Sequence, residues 1–430
     1  MKTPFFITAL LVCAVMFSCK KTGGGPNTTG TKTNGLYLAA STGWQRVVIV
    51  KNTTKNSMRA YDLQVDGGTA RVLYSEGFLA NGADIQSYFK AQGAFGSAGD
   101  ATIAALPAIY PLLIQNNAQL DYQDIWPQFQ PGTFTTENLC FYHYYSGAPF
   151  INLNDSNLKL ITTNQVSSSP QSFRNLPNGD ILGGEVANTG GSIAEYYSRA
   201  AKTWKSYYAN AYNGSTATTH TPFILADGSL WSFRLYYKTG KAYLAVAGFT
   251  NAAYPASGFA DKVIEEHSEF APNVPDLNSI YFNPTNVVAY ATDGNAVTVV
   301  LQHKDVLGQT ATVSAYKWTQ GTTSIQKLYS GVAISNDLSA MLLRRREVGC
   351  TPDGTLYAII SGNGNSYHLS LTNAAGEKSY GAASNNNGGS YALTINCLRY
   401  FNGSYYAVVA PTQGGTDADA QHMDVVKITP

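Results

Sequence analysis

Charge is scarce in this sequence. Asp, Glu, Lys and Arg supply 13% of the 430 residues, about half the share usual in soluble domains, and the formal net charge is +1. With no excess of either sign there is no electrostatic footprint for nucleic acid or for an anionic surface. Cysteine is equally sparse: five residues and no CxxC spacing argue against both a disulfide framework and a thiolate metal site. The six His residues are dispersed, and neither a GxSxG elbow nor a properly flanked glycine-rich nucleotide loop is present, so no cofactor or metal is implied. Helix-period apolar stripes are few. No segment beyond the first eighteen residues is apolar enough to span a bilayer.

What the sequence does hold begins at its start. Lys2 is followed by an apolar run from Pro4 to Phe17 and by Ser18-Cys19, the pattern of an export signal over residues 1–18. Cys19 opens a glycine-, threonine- and asparagine-rich stretch with nothing to pack, which reads as a tether over residues 19–33. The junction resembles the lipoprotein box, in which a small residue precedes an acylated cysteine, and its SCKK ending is similar to lipoproteins of Bacteroidota. The resemblance implies lipidation at Cys19 and an outer-membrane location; Lys20 and Lys21, where an acidic surface-export signal is usual, favour the periplasmic side. Removal of the signal takes away Lys2 and leaves a side-chain charge of zero. Of the later cysteines, Cys140, Cys350 and Cys397 are expected to be buried free thiols.

From residue 34 to 430 the recurring unit is a short strand, a turn on Gly or Pro, and a second strand rich in aromatic and β-branched residues. It occurs as QSFRNL-PNGD-ILGGEV from Gln171, TPFIL-ADGS-LWSFRLYY from Thr221, NSIYF-NPTN-VVAYAT from Asn278, REVGC-TPDG-TLYAII from Arg346 and NCLRY-FNGS-YYAVVA from Asn396. Gly179, Gly228, Gly354 and Gly403 are separated by 49, 126 and 49 residues, and a turn at Pro284-Thr285-Asn286 divides the middle interval. A period of about fifty residues matches one propeller blade, and a second hairpin between turns makes four strands per blade. In turn chemistry the repeats resemble NHL-type and related PDG-containing propellers. The expected fold is therefore an all-β propeller of about seven blades, with six or eight also compatible and a large β-sandwich as the alternative. Ring closure is expected where the final HMDVVKITP from His422 meets the first strand near Leu36. Residues 82–132, with the Pro-interrupted ATIAALPAIYPLLIQN, fit no blade position.

If the strand before each turn is innermost, its early residues line one mouth of the central channel. That places Arg174, His220, Asn278, Arg346, Glu347, Asn396 and Arg399 near the mouth as candidate ligand-binding residues. Trp204, Trp231 and Trp318, read as loop residues, would add stacking surface, in keeping with 29 Tyr against 18 Phe. Channel-side arginines invite comparison with sialidases, but the S-x-D-x-G-x-x-W box is missing. No catalytic residue can be named. The expectation is a membrane-anchored binding protein for a glycan, peptide or protein partner; a periplasmic polysaccharide hydrolase or lyase, and an accessory subunit of an uptake complex, are the alternatives.

Overall fold

Glycine turns and alternating apolar residues leave almost no helix. In the computed structural model the described residues form 31 strands and one six-residue helix, α1 (Asn336–Met341). Described are residues 36–430 apart from connecting stretches, the longer ones being 106–125, 130–137, 166–172, 184–191, 209–217, 249–266, 271–284, 386–392 and 412–421. The signal, Cys19 and the tether lie outside them.

The strands make a seven-bladed β-propeller of four-stranded antiparallel sheets. The chain enters through β1 (Leu36–Leu38) and β2 (Trp44–Lys51), which belong to the last two blades. Blade 1 is β3 (Met58–Asp66), β4 (Thr69–Glu76), β7 (Ser87–Ala94) and β8 (Thr102–Ala105); β5 (Leu79–Ala80) and β6 (Ala83–Asp84) form a small hairpin within it. Blade 2 is β9 (Trp126–Phe129), β10 (Leu139–Tyr145), β11 (Ala148–Asn154) and β12 (Leu160–Gln165). Blade 3 is β13 (Arg174–Asn175), β14 (Ile181–Gly183), β15 (Ser192–Ser198) and β16 (Thr203–Tyr208). Blade 4 is β17 (Thr218–Ile224), β18 (Leu230–Lys238), β19 (Lys241–Gly248) and β20 (His267–Phe270). Blade 5 is β21 (Thr285–Asp293), β22 (Ala296–Lys304), β23 (Ala311–Thr319) and β24 (Ile325–Ile334). Blade 6 is β25 (Val348–Cys350), β26 (Leu356–Gly362), β27 (Ser366–Asn373) and β28 (Gly376–Asn385), with β1 as a fifth, outer strand. Blade 7 is β29 (Leu393–Phe401), β30 (Ser404–Pro411), β31 (His422–Ile428) and β2.

The first strand of each blade is innermost, because first strands of successive blades touch one another: β17 with β21, β21 with β25, β25 with β29, β29 with β3 and β3 with β9. The turn that follows is chemically the same in three blades. In blade 4, Gly228 N–H donates to Leu225 C=O at 2.9 Å and Leu225 N–H to Ser229 C=O at 3.1 Å; Leu176, Gly179 and Asp180 repeat the pattern in blade 3, and Thr351, Gly354 and Thr355 in blade 6. The residue before each glycine caps the turn: Asn178, Asp227 and Asp353 each accept a backbone N–H from two residues on. The glycines hold φ of +86°, +81° and +90°, which a Cβ disfavours.

Three sequence expectations are corrected. The turn of blade 5 is Asp293-Gly294-Asn295, with Gly294 at φ +59°, whereas Thr285 and Asn286 already belong to β21. Proline at 284 precedes the strand, a position its missing N–H tolerates. Closure also differs: His422–Ile428 pairs with Trp44–Lys51, while Leu36–Leu38 joins β28 of blade 6. The unplaced stretch 82–132 supplies β6, β7, β8 and β9, so Thr102–Ala105 is the outer strand of blade 1.

The core lies between blades rather than within them. Alternation turns one face of each sheet to the preceding blade and the other to the next. Six seams carry an apolar cluster, among them Val48, Val408 and Val425 of blade 7 against Leu63, Val72 and Tyr74 of blade 1, and Cys140 and Ile151 of blade 2 against Phe173 and Tyr197 of blade 3. Cys140, Cys350 and Cys397 are buried free thiols, as expected. The tryptophans depart from the loop reading. All three sit on strands; Trp318 is fully buried against Phe223 and Trp231, and Trp231 and Trp204 are partly buried. An indole on a strand facing a seam is core.

Candidate functional site

The seam between the last and first blades brings two distant charges together beside the axis. Inner strands β3 and β29 each carry a β-bulge, at Ala60/Asp62 and at Asn396/Arg399, the second with Cys397 at φ +61°. A bulge re-aims the side chains that follow it. Past the bulge, Arg399 Nη2 donates to Asp62 Oδ1 at 2.8 Å and Arg399 Nη1 to the Leu398 carbonyl at 2.9 Å. Asp62 Oδ1 also accepts from Leu63 N–H at 2.9 Å. The Asp62 carboxylate is nearly buried, whereas the Arg399 side chain is 39% exposed. Burial works against the guanidinium's charge, but Asp62 outweighs it and raises the Arg399 pKa.

Other mouth candidates fall as follows. Arg174 lies on β13 and His220 on β17, both inner strands. Glu347 directly precedes β25, and its carbonyl accepts from Ile359 N–H at 3.3 Å. Asn396 sits partly buried at the β29 bulge, on the same strand as Arg399. Asn278 and Arg346 lie outside the described residues. The sequence reading missed Asp62, together with Arg59, whose guanidinium lies 5.4 Å from the Tyr61 ring. The signal was there: QVDGGTARV holds a glycine turn between two strands, with Gly67 and Gly68 at positive φ.

A second polar group lies on the two outer strands that close blade 7, where Asp424 is level with Val409 of β30 whereas Arg399 is level with Tyr406. Arg46 of β2 donates to Asp424 Oδ2 at 2.7 Å, and His422 Nε2 stands 3.5 Å from Asp424 Oδ1. His422 and Asp424 are 8% and 2% exposed. Their register puts them on the face shared with Val426 and Ile428, toward blade 6. Among the described residues no three His, Cys, Asp or Glu side chains group as metal ligands.

No protein-family model matches this chain, and no curated protein matches its sequence. Among solved structures it is similar to the polysaccharide lyase Uly1, at 9% identity over 89% of this chain and 97% of that one, with a TM-score of 0.41. It is also similar to a PL25 ulvan lyase, at 7% identity over 90% and 94%, with a TM-score of 0.43. Prolyl oligopeptidase B from Galerina marginata aligns at 11% identity over 87% of this chain, with a TM-score of 0.44, and here the chain covers 52% of the other's length. These are resemblances only, and the ring of seven sheets stands on its own strand pairing.

Proposed function

We propose that this chain is a membrane-anchored extracytoplasmic binding protein that recognises a glycan, peptide or protein partner through a face of its propeller. The anchor is the acylated Cys19, and the periplasmic side of the outer membrane is the favoured location. One observation supports the reading above others. Arg399, on an innermost strand, is held in place by Asp62 and the Leu398 carbonyl, yet stays 39% exposed, and among the described residues the remaining N–H donors of its fork have no hydrogen-bond partner. A fixed, half-exposed guanidinium presents a ligand with donors whose ordering cost has already been met.

The rival is a polysaccharide hydrolase or lyase. His422 beside Asp424 favours it, since a carboxylate that orients an imidazole is a common element of proton transfer. A single experiment separates them: the full chain, purified in detergent, is applied to a glycan array and incubated with chromogenic glycosides and acidic polysaccharides. Retention without product supports the binding reading. Release of product overturns it in favour of the enzyme.

A further inference from the structure

Three large hydrophobic side chains are exposed among the described residues: Leu160, Ile161 and Tyr400. The two aliphatic ones are neighbours on β12, the outer edge of blade 2, where isolated apolar exposure is ordinary. Tyr400 is different, because it lies on innermost strand β29, 37% exposed, at the end of the ring opposite Asn396. Its ring centroid is 5.2 Å from Tyr405 and 6.3 Å from Tyr357, and those two lie 5.2 Å apart. Tyr357 and Tyr405 are 9% and 4% exposed, so one open ring rests on two buried ones.

The backing is rigid for local reasons. Tyr400 pairs directly with Tyr405 across the Asn402-Gly403 turn, whose φ values of +46° and +76° match the tight hairpin turn that this pairing needs. Tyr357 reaches the cluster from β26 by lying over Gly349, where a Cβ would come within 2.3 Å of its hydroxyl oxygen. In the neighbouring turn of blade 6, the Asp353 charge adds to the burial that raises the Tyr405 pKa. Burial pushes the Asp353 carboxyl up, but hydrogen bonds from Thr351 and Thr355 prevail and hold it ionised below the usual carboxylate range. Arg399, the next residue along β29, faces the other seam and is engaged by Asp62.

We propose that Tyr400, backed by Tyr357 and Tyr405 and with Asp353 in the neighbouring turn of blade 6, is a stacking platform for a neutral pyranose unit of a glycan. The C–H face of the sugar lies on the open ring and its hydroxyls donate to the carboxylate, while an acidic sugar is disfavoured by that same carboxylate. The proposal rests on the binding reading above and gives it a ligand class.

The test is isothermal titration of the full chain in detergent with maltohexaose, cellohexaose, laminarihexaose and xylohexaose, with hexagalacturonate as the anionic counter-probe. Saturable binding of at least one neutral hexamer is expected, with affinity lowered about tenfold or more by Tyr400→Ala and kept within about threefold by Tyr400→Phe. Should Tyr400→Ala fail to fold, Tyr400→Leu, which keeps bulk without a flat face, carries the same expectation. Unchanged binding in the ring-deleted variant overturns this site and leaves the binding reading standing. Preference for hexagalacturonate overturns the ligand class. Absence of binding to all five, when the array retains the chain on another glycan, overturns the platform alone; a blank array as well overturns glycan recognition in both readings.

Discussion

Replacing Gly354 by alanine should destabilise the propeller more than the same change at Gly228, although the two turns share their hydrogen bonds and nearly the same φ. At Gly228 a new Cβ would meet nothing within 4 Å. The cost there is the positive φ alone, about 1–2 kcal/mol for an L-residue. At Gly354 the Cβ would arrive 2.8 Å from Leu328 Cδ1 and 3.2 Å from Ala315 Cβ. Both belong to the apolar cluster between blades 5 and 6, so overpacking adds about 1–3 kcal/mol to the backbone strain. The Gly354 carbonyl also accepts the Tyr329 hydroxyl at 2.9 Å, so a shift of the turn to relieve the clash would loosen that bond. The two variants therefore isolate packing from conformation. Thermal melts followed by near-ultraviolet circular dichroism, at one scan rate, should give a midpoint for Gly354→Ala several degrees below that of Gly228→Ala. Equal midpoints, or the reverse order, would refute the claim that this turn is wedged into the neighbouring blade.

Three further outcomes are expected. Arg399→Leu should cost about 2–3 kcal/mol, because it strands the nearly buried Asp62 carboxylate, and the Arg399→Leu/Asp62→Leu double variant should recover part of that loss; a double-mutant cycle showing no coupling refutes the pairing. Burial lowers the His303 pKa from 6.5 to about 4. The unfolded chain thus binds the extra proton between those values, and stability present in full above about pH 6.5 falls as the pH drops toward 4, by about 3 kcal/mol at most. His303→Gln should flatten melting temperature against pH in that window, and an imidazole titrating near 6.5 by NMR would contradict it. Finally, Cys19→Ser should abolish incorporation of an alkyne fatty acid and move the chain from the membrane to the soluble fraction; continued membrane association would refute the anchor.

The turns were legible because their chemistry is local: only glycine, or less readily asparagine or aspartate, accepts the backbone at Gly179, Gly228, Gly354 and Gly403, all of which have positive φ. The blade count followed from their spacing. Blade 5 was misplaced because Pro284 looks like a turn residue, while Asp293-Gly294 sits inside a long run of strand-forming side chains. Pairing across the ring was not legible. Arg399 and Asp62 are 337 residues apart, and nothing near either one announces the other. The seam that shelters Trp318 was equally hidden, since a strand's two apolar faces become distinct only once both neighbouring blades are present. Tyr400 could not be told from Tyr405 by sequence, as both lie in one aromatic run and point to the same face of the sheet, and differ only in how much of each its neighbours cover.

The three-residue strand β1 has a mechanical consequence. Tension arriving from the N-terminal side meets Leu36–Leu38 before it can reach the eight-residue closing strand β2. Its short pairing with Asn385–Ala383 can peel away and re-form without opening the circle, because β2 remains laced to His422–Ile428. The rim of blade 6 thereby serves as strain relief, and the clasp that shuts the ring is never the first joint loaded.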